Sequence, residues 1–78
     1  MLTVKFVKYT ADNGSTEQVL VVSAKSVAIE YEKHLRTIVK TESPHGGEYT
    51  DVSVGSNDCA WNRAYVMNEA GRTVETVG

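Results

Sequence analysis

An Asn-Gly pair between two strand-like stretches constrains the fold of this chain more than any other feature. Leu2–Tyr9 alternates apolar with polar residues and is rich in β-branched and aromatic side chains, which is typical of a β-strand. Asn13-Gly14 follows and favours a tight hairpin turn, because both residues of such a turn adopt positive φ. The chain then returns through Glu17–Val22. The sequence therefore begins with a predicted antiparallel hairpin.

The turn also predicts how the two strands of this hairpin pair. If Asn13 and Gly14 are the two turn residues, Phe6 lies opposite Val21. The returning strand contains four consecutive apolar residues, Val19–Val22. A continuous apolar run is typical of a central strand that is buried on both faces. We therefore expect this strand to lie inside the sheet. The same register places Lys8 opposite Val19.

Residues 23–40 fit two patterns. With a period of two, Val27, Ile29 and Tyr31 share one face of a strand. With the helical period, Val27, Tyr31, Leu35 and Ile38 form one apolar stripe. β-Branched and aromatic residues form strands more readily than helices, so the strand interpretation is favoured. One helix over about residues 24–36 is the alternative.

Two further hairpins are predicted downstream. Arg36–Glu42 and Tyr49–Val54 are strand-like and are joined by the loop Ser43–Gly47, whose proline and glycines interrupt a strand. A last hairpin joins Ala60–Met67 to Arg72–Val77. Together the patterns predict a succession of antiparallel hairpins.

The length of 78 residues allows one domain, residues 1–78. A chain of this size buries only about 60% of the surface that it exposes when unfolded, so its core is marginal. The predicted class is mainly β: a small twisted antiparallel sheet or a partly open barrel of hairpins. The alternative is α+β, with the helix over about 24–36 packed on an antiparallel sheet.

Charge and apolar content argue against nucleic-acid and membrane partners. The net charge is −2, and the basic residues are scattered rather than clustered into the footprint that nucleic acid requires. The longest apolar run has four residues, far from the roughly 20 that span a bilayer, and no secretory signal precedes it. A lone Cys59 cannot form an internal disulfide. These features predict a cytoplasmic protein.

No residue pattern indicates catalysis, a metal or a cofactor. Cys59 has no nucleophile signature around it, and Asp58 beside it would raise the pKa of its thiol. His34 and His45 are too widely spaced from Cys59 for a metal site. The glycines after His45 join two predicted strands, whereas a phosphate loop precedes a helix. We expect a protein that is not an enzyme and has no cofactor.

Aromatic residues are the strongest indication of a binding surface. Trp61, Arg63 and Tyr65 alternate, so on a regular strand they share one face, and Tyr, Trp and Arg are over-represented at binding hot spots. In the alternative registry Trp61, Tyr65 and Met67 form the core instead. A second candidate contact surface is the loop with His45 and the adjacent Tyr49, since loops on rigid scaffolds often carry binding sites.

The C-terminal segment Ala64–Val74 resembles the closing hairpin of short, uncharacterised proteins of bacteriophages and prophages. In those proteins an apolar-Val-Met-Asn core is followed by an acidic or polar residue, Gly, a basic residue and Thr-Val. In this motif Asn68 accepts a turn hydrogen bond and Gly71 supplies positive φ. The core candidates of the motif are Val66, Met67 and Val74.

The resemblance implies a non-enzymatic phage or prophage accessory protein that binds a host or phage protein complex in the bacterial cytoplasm. By analogy in size and character, inhibition of a bacterial defence system such as CRISPR–Cas is the specific hypothesis. Two alternatives come from other classes. A small all-β chain has edge strands that can pair with further copies, giving a homodimer or a structural assembly. Aromatic stacking beside basic residues would instead bind single-stranded nucleic acid.

Overall fold

The computed structural model describes residues 1–9, 15–33, 36–56 and 58–78, and these form seven β-strands and no helix. The predicted Asn13-Gly14 turn lies outside the described residues. No helix that could cross a membrane occurs in the described part of the chain. The strands are β1 (Leu2–Tyr9), β2 (Thr16–Ala24), β3 (Val27–Tyr31), β4 (Arg36–Glu42), β5 (Tyr49–Gly55), β6 (Arg63–Met67) and β7 (Thr73–Val77).

The strands form two antiparallel sheets that do not close into a barrel. Sheet A has the order β2-β1-β6-β7, and sheet B has the order β3-β4-β5. The predicted mainly-β class is therefore confirmed. The helix alternative is wrong: Val27 and Ile29 are half-buried while Ala28 and Glu30 are exposed, so this segment follows the strand period of two.

The core lies between the inner faces of the two sheets. Sheet A contributes Phe6 as its largest fully buried side chain, and sheet B contributes Val39 and Val54. Small and β-branched residues fill the remaining space, because the two inner faces must interdigitate. The other buried members of this cluster are Val4, Ala64, Val66 and Val77.

Backbone contacts at Trp61 connect the two sheets. The Trp61 N–H donates to the Ser53 carbonyl over 3.2 Å, and the Trp61 carbonyl accepts from the Gly55 N–H over 2.9 Å. The result is an isolated parallel bridge between Trp61 and Val54 of β5. Trp61 thus ties the segment before β6 to sheet B.

The first hairpin pairs one position away from the predicted register. Phe6 lies opposite Leu20 rather than Val21, and Lys8 lies opposite Gln18 rather than Val19. A shift of one residue turns every side chain of the strand to the other face. Leu20 therefore shares the inner face with Phe6. The pairing is irregular between Lys8 and Tyr9, which local turn preferences do not anticipate.

The prediction that β2 is a buried central strand is also wrong. β2 lies at the edge of sheet A, with β1 as its neighbour. Val19 and Val21 on the outer face remain 48% and 58% exposed, and Leu20 on the inner face remains 41% exposed. An apolar run fits a central strand, but it does not determine which strands become neighbours. β2 lies at the edge because β6 pairs with the other side of β1.

The turn of the C-terminal hairpin agrees with the prediction. The side-chain Oδ1 of Asn68 accepts hydrogen bonds from the N–H groups of Ala70 and Arg72 at 3.0 and 3.1 Å. Gly71 has φ of 80°, the left-handed conformation that glycine tolerates best. Of the proposed core residues, Val66 is buried, but Val74 is 53% exposed because β7 is an edge strand.

Candidate protein-binding surface

The outer face of sheet A brings together polar aromatic and basic side chains. Along β6, Ala64 and Val66 point into the core, so Arg63 and Tyr65 point outward, as a strand requires. Antiparallel pairing with β1 places Lys5 opposite Tyr65. Residues directly opposite in a sheet share one face, so all three polar side chains lie on the surface away from sheet B.

Tyr9, at the end of β1, also belongs to this surface. It lies on the same outer face, and its hydroxyl lies close enough to that of Tyr65 for each phenol to shift the pKa of the other. The Arg63 guanidinium is likewise close enough to Tyr65 to shift the pKa of its phenol. We call Tyr9, Arg63 and Tyr65 the tyrosine patch. Its members contact one another through side chains that come from two adjacent strands.

Interactions within the patch shift the pKa values of its two tyrosines in opposite directions. The hydrogen bond from Arg63, followed by that from Tyr9 and the positive charges of Arg63 and Lys5, lowers the pKa of Tyr65 from its ordinary value. Donation to Tyr65 raises the pKa of Tyr9. Tyr65 is therefore the acceptor of the patch, and a partner that approaches this oxygen meets a positive surface.

An apolar residue, Val7, lies beneath the patch on the outer face of sheet A. Val7 lies between Lys5 and Tyr9 along β1 and opposite Arg63 on β6, yet it is only 4% exposed. Its burial is explained by the long side chains around it, whose apolar stems and rings pack over it. The tyrosine patch therefore lies around a buried apolar residue on the outer face of sheet A.

Trp61 does not join Arg63 and Tyr65. The chain bends at Asn62, whose N–H donates to the Val7 carbonyl and whose Oδ1 accepts from the Tyr9 N–H. The bend breaks strand alternation, and the Trp61 ring packs on Phe6 with centroids 6.0 Å apart. Each sequence interpretation of this strand is thus partly right: Trp61 contacts the core, while Arg63 and Tyr65 face outward.

His45 and Tyr49 lie at a different place, in and beside the β4–β5 loop, and both are exposed. The loop is organised around the Glu42 carboxylate, which accepts hydrogen bonds from the Ser26 Oγ at 2.7 Å and the Gly47 N–H at 3.1 Å. These bonds lower the pKa of Glu42, with the Lys25 charge and a hydrogen bond to Tyr49 adding smaller effects. The carboxylate is used to hold the loop.

The two candidate contact surfaces are separated along the sheet. The β2–β3 link follows Ala24, which pairs with Leu2 at the start of β1, and Lys25 in this link donates its N–H to the Glu42 carbonyl. Arg63 instead pairs with Val7, five residues further along β1. A strand rises about 3.4 Å per residue, so the positions of Leu2 and Val7 along β1 are about 17 Å apart. One small ligand therefore cannot contact both candidate surfaces.

An open groove lies between the sheets on the side of β3 and β7. It encloses about 310 Å³ and is lined mainly by apolar side chains of β3 together with Leu2, Val66 and Val74. Tyr31 and Glu75 also line it. This groove marks the side on which the two sheets remain apart.

The residues considered for chemistry are not assembled into a site. Cys59 is buried, and the Lys8 ammonium donates to its carbonyl over 3.1 Å. His34 lies outside the described residues, and His45 is exposed in its loop. No group of three potential metal ligands occurs among residues 1–9, 15–33, 36–56 and 58–78. The absence of catalysis and of a cofactor stays a prediction.

Sequence reasoning missed Tyr9 as a member of the outer surface. Strand alternation alone places Tyr9 on the face of Lys5 and Val7, opposite to Phe6. Alternation does not predict which strand pairs with β1, because β1 and β6 are separated by more than fifty residues of sequence. Their pairing brings Tyr9 to Tyr65.

In comparisons with known proteins, no family model, no curated protein and no solved structure matches this chain.

Proposed function

We propose that this chain is a non-enzymatic binding module that contacts a protein partner through the tyrosine patch. The observation that carries the proposal is the position of Tyr9, Arg63 and Tyr65 together on the outer face of sheet A, around the buried Val7. Side chains that are ordered before binding lose less conformational entropy when a partner arrives. Tyr and Arg are also the residue types that dominate binding energy at protein interfaces.

The charge of the surface indicates the chemistry of the partner. Arg63 and Lys5 flank Tyr65, and both raise the positive potential at its hydroxyl. An opposing protein surface with aspartate or glutamate at its centre would pair with these cations, and complementary potentials speed and orient association. The proposed partner therefore presents acidic side chains to the patch.

The biological setting is proposed on the resemblance of Ala64–Val74 alone. The module would be a phage or prophage accessory protein that acts in the bacterial cytoplasm on a host or phage protein complex. A bacterial defence complex such as CRISPR–Cas is the target class that we propose to examine first.

Affinity capture with a matched charge reversal tests this proposal. A tagged chain is expressed in a bacterial host with intact defence systems, and proteins that co-purify are identified by mass spectrometry. Arg63→Glu should lose a stoichiometric partner that the unchanged chain retains, with little change in melting temperature because Arg63 is exposed. Arg72→Glu reverses another exposed charge, in the β6–β7 turn, and should keep the partner.

Three results would contradict the proposal. The first is an unchanged chain that captures no stoichiometric protein at good expression. The second is a partner that Arg63→Glu still retains. The third is binding of a single-stranded oligonucleotide that Arg63→Glu abolishes and salt weakens steeply, which would replace the protein partner with nucleic acid.

A further inference from the structure

The centre of the exposed edge strand β2 lacks the features that normally prevent strand pairing. Natural edge strands carry lysine, proline, inward-pointing charges or bulges, because an unpaired strand is a template for another chain. Thr16–Ala24 contains no lysine, arginine or proline, and its centre is the exposed run Val19–Val21. The irregularity in the pairing of β2 lies at its start, opposite Lys8 and Tyr9, so Val19–Val21 keeps a regular register with β1.

No described strand pairs with the outer edge of β2. The Val7 carbonyl accepts from Asn62, so the polar groups of Val7 point toward β6. The backbone N–H and C=O groups of successive residues in a strand point to opposite sides. Those of Phe6 therefore point toward β2, and those of its partner Leu20 point back toward β1. The N–H and C=O groups of Val19 and Val21 therefore point away from the sheet, where an incoming strand would meet them.

We infer that this edge pairs with the β2 strand of a second copy of the chain, antiparallel and centred on Leu20. The sequence around Leu20 is self-complementary: Val19 would lie opposite Val21 of the second copy, and Leu20 opposite Leu20. The hydrogen bonds of the pairing would form between Val19 and Val21. Further out, Gln18 would face Val22, so no like charges oppose each other between Gln18 and Val22.

A twofold arrangement also fits the size of the domain. Each copy uses the same edge, so pairing is closed at two chains, and the two copies of sheet A become one eight-stranded sheet. Val19 and Val21 would be covered on the outer face and Leu20 on the inner face. Such burial supplements the marginal core of a 78-residue chain.

Charge placed at the two outward valines tests this inference. Sedimentation equilibrium across the micromolar to millimolar range should show the unchanged chain approaching twice its single-chain mass of 8.5 kDa. In Val19→Glu/Val21→Glu each new carboxylate would face another across the twofold axis, so the mass should stay at 8.5 kDa. Glu at position 21 also lies opposite Lys5 within the chain, which favours folding of this variant.

A charge-swap experiment makes the test specific for the proposed register. Val19→Lys/Val21→Lys should also be monomeric, but an equimolar mixture with the glutamate variant should form a heterodimer, because Lys would then face Glu. Val74→Glu is the matched control: it places the same charge on an exposed valine of the other edge of sheet A and should leave dimerisation unchanged. Melting curves establish that each variant is folded.

Each contrary result has a definite meaning. An unchanged chain that stays at 8.5 kDa throughout overturns the inference, and so does a glutamate double variant that still dimerises. A mixture that stays monomeric overturns the register centred on Leu20. Arg63→Glu should dimerise normally, so failure of this inference and failure of the proposed tyrosine-patch interaction are distinguishable.

Discussion

The Ser26 hydroxyl donates a hydrogen bond of 2.7 Å to the Glu42 carboxylate and so fastens the link between the two sheets to the β4–β5 hairpin. Two backbone hydrogen bonds reinforce this connection, because the Glu42 N–H donates to the Ser26 carbonyl and the Glu42 carbonyl accepts from Lys25. The carboxylate also accepts the Gly47 N–H of the loop. One side chain therefore joins three segments, and its charge state should affect stability.

We predict that Glu42 contributes to stability only while it is ionised. Its folded pKa lies below the ordinary value of 4.5, chiefly through the Ser26 hydrogen bond, so its contribution is present above pH 4.5 and is lost as the pH falls through the folded pKa. Glu42→Gln should lower the urea midpoint at neutral pH, and the difference from the unchanged chain should close in acid. Glu48→Gln removes the same charge from the same loop and should leave that pH dependence intact. A constant difference between Glu42→Gln and the unchanged chain at all pH values would contradict the prediction.

We predict that Tyr65 ionises before an ordinary tyrosine. The Arg63 hydrogen bond and the adjacent positive charges stabilise its phenolate and lower its pKa from 10.0. Titration followed by near-ultraviolet absorbance should therefore show an early ionisation that Tyr65→Phe abolishes. Arg63→Gln should move this ionisation to higher pH, whereas Tyr31→Phe should leave it in place. Persistence of the early ionisation in Tyr65→Phe would assign it to another tyrosine.

We predict that Gly71 is needed for its backbone conformation alone. Its φ is +80°, and apart from its two chain neighbours no described residue has a heavy atom within 4 Å of the position that a Cβ would take. Gly71→Ala should therefore cost about 1 kcal/mol, which lowers the melting temperature of a domain of this size by about 4–8 °C. Gly71→Asn should recover part of this loss, since Asn adopts the left-handed conformation more readily than Ala. Equal losses for both variants would indicate a contact of the side chain rather than backbone strain.

Features encoded by neighbouring residues were predictable from the sequence. β4 begins and ends as expected, and the turn at Asn68–Gly71 has the expected hydrogen bonds, because a few adjacent residues determine both. The preference for strand over helix at Val27–Tyr31 was likewise present in the β-branched composition. These features required no knowledge of the distant parts of the chain.

Features that depend on distant pairing were not predictable in this way. The exposed position of Val19–Val22 follows from β6 occupying the other side of β1, a contact between segments far apart in sequence. The orientation of Trp61 follows from the bend at Asn62, which is held by hydrogen bonds to β1. Of the three residues expected to share one face, Arg63 and Tyr65 point outward and Trp61 does not, and Tyr9 joins them only through tertiary structure.

The position of Trp61 gives the molecule an intrinsic optical reporter. It is the only tryptophan of the sequence, it rests on Phe6 of one sheet, and its backbone is bonded to β5 of the other. Its emission should therefore respond to separation of the two layers even while individual hairpins persist. Comparing fluorescence with circular dichroism during unfolding would reveal whether the layers part before the strands are lost.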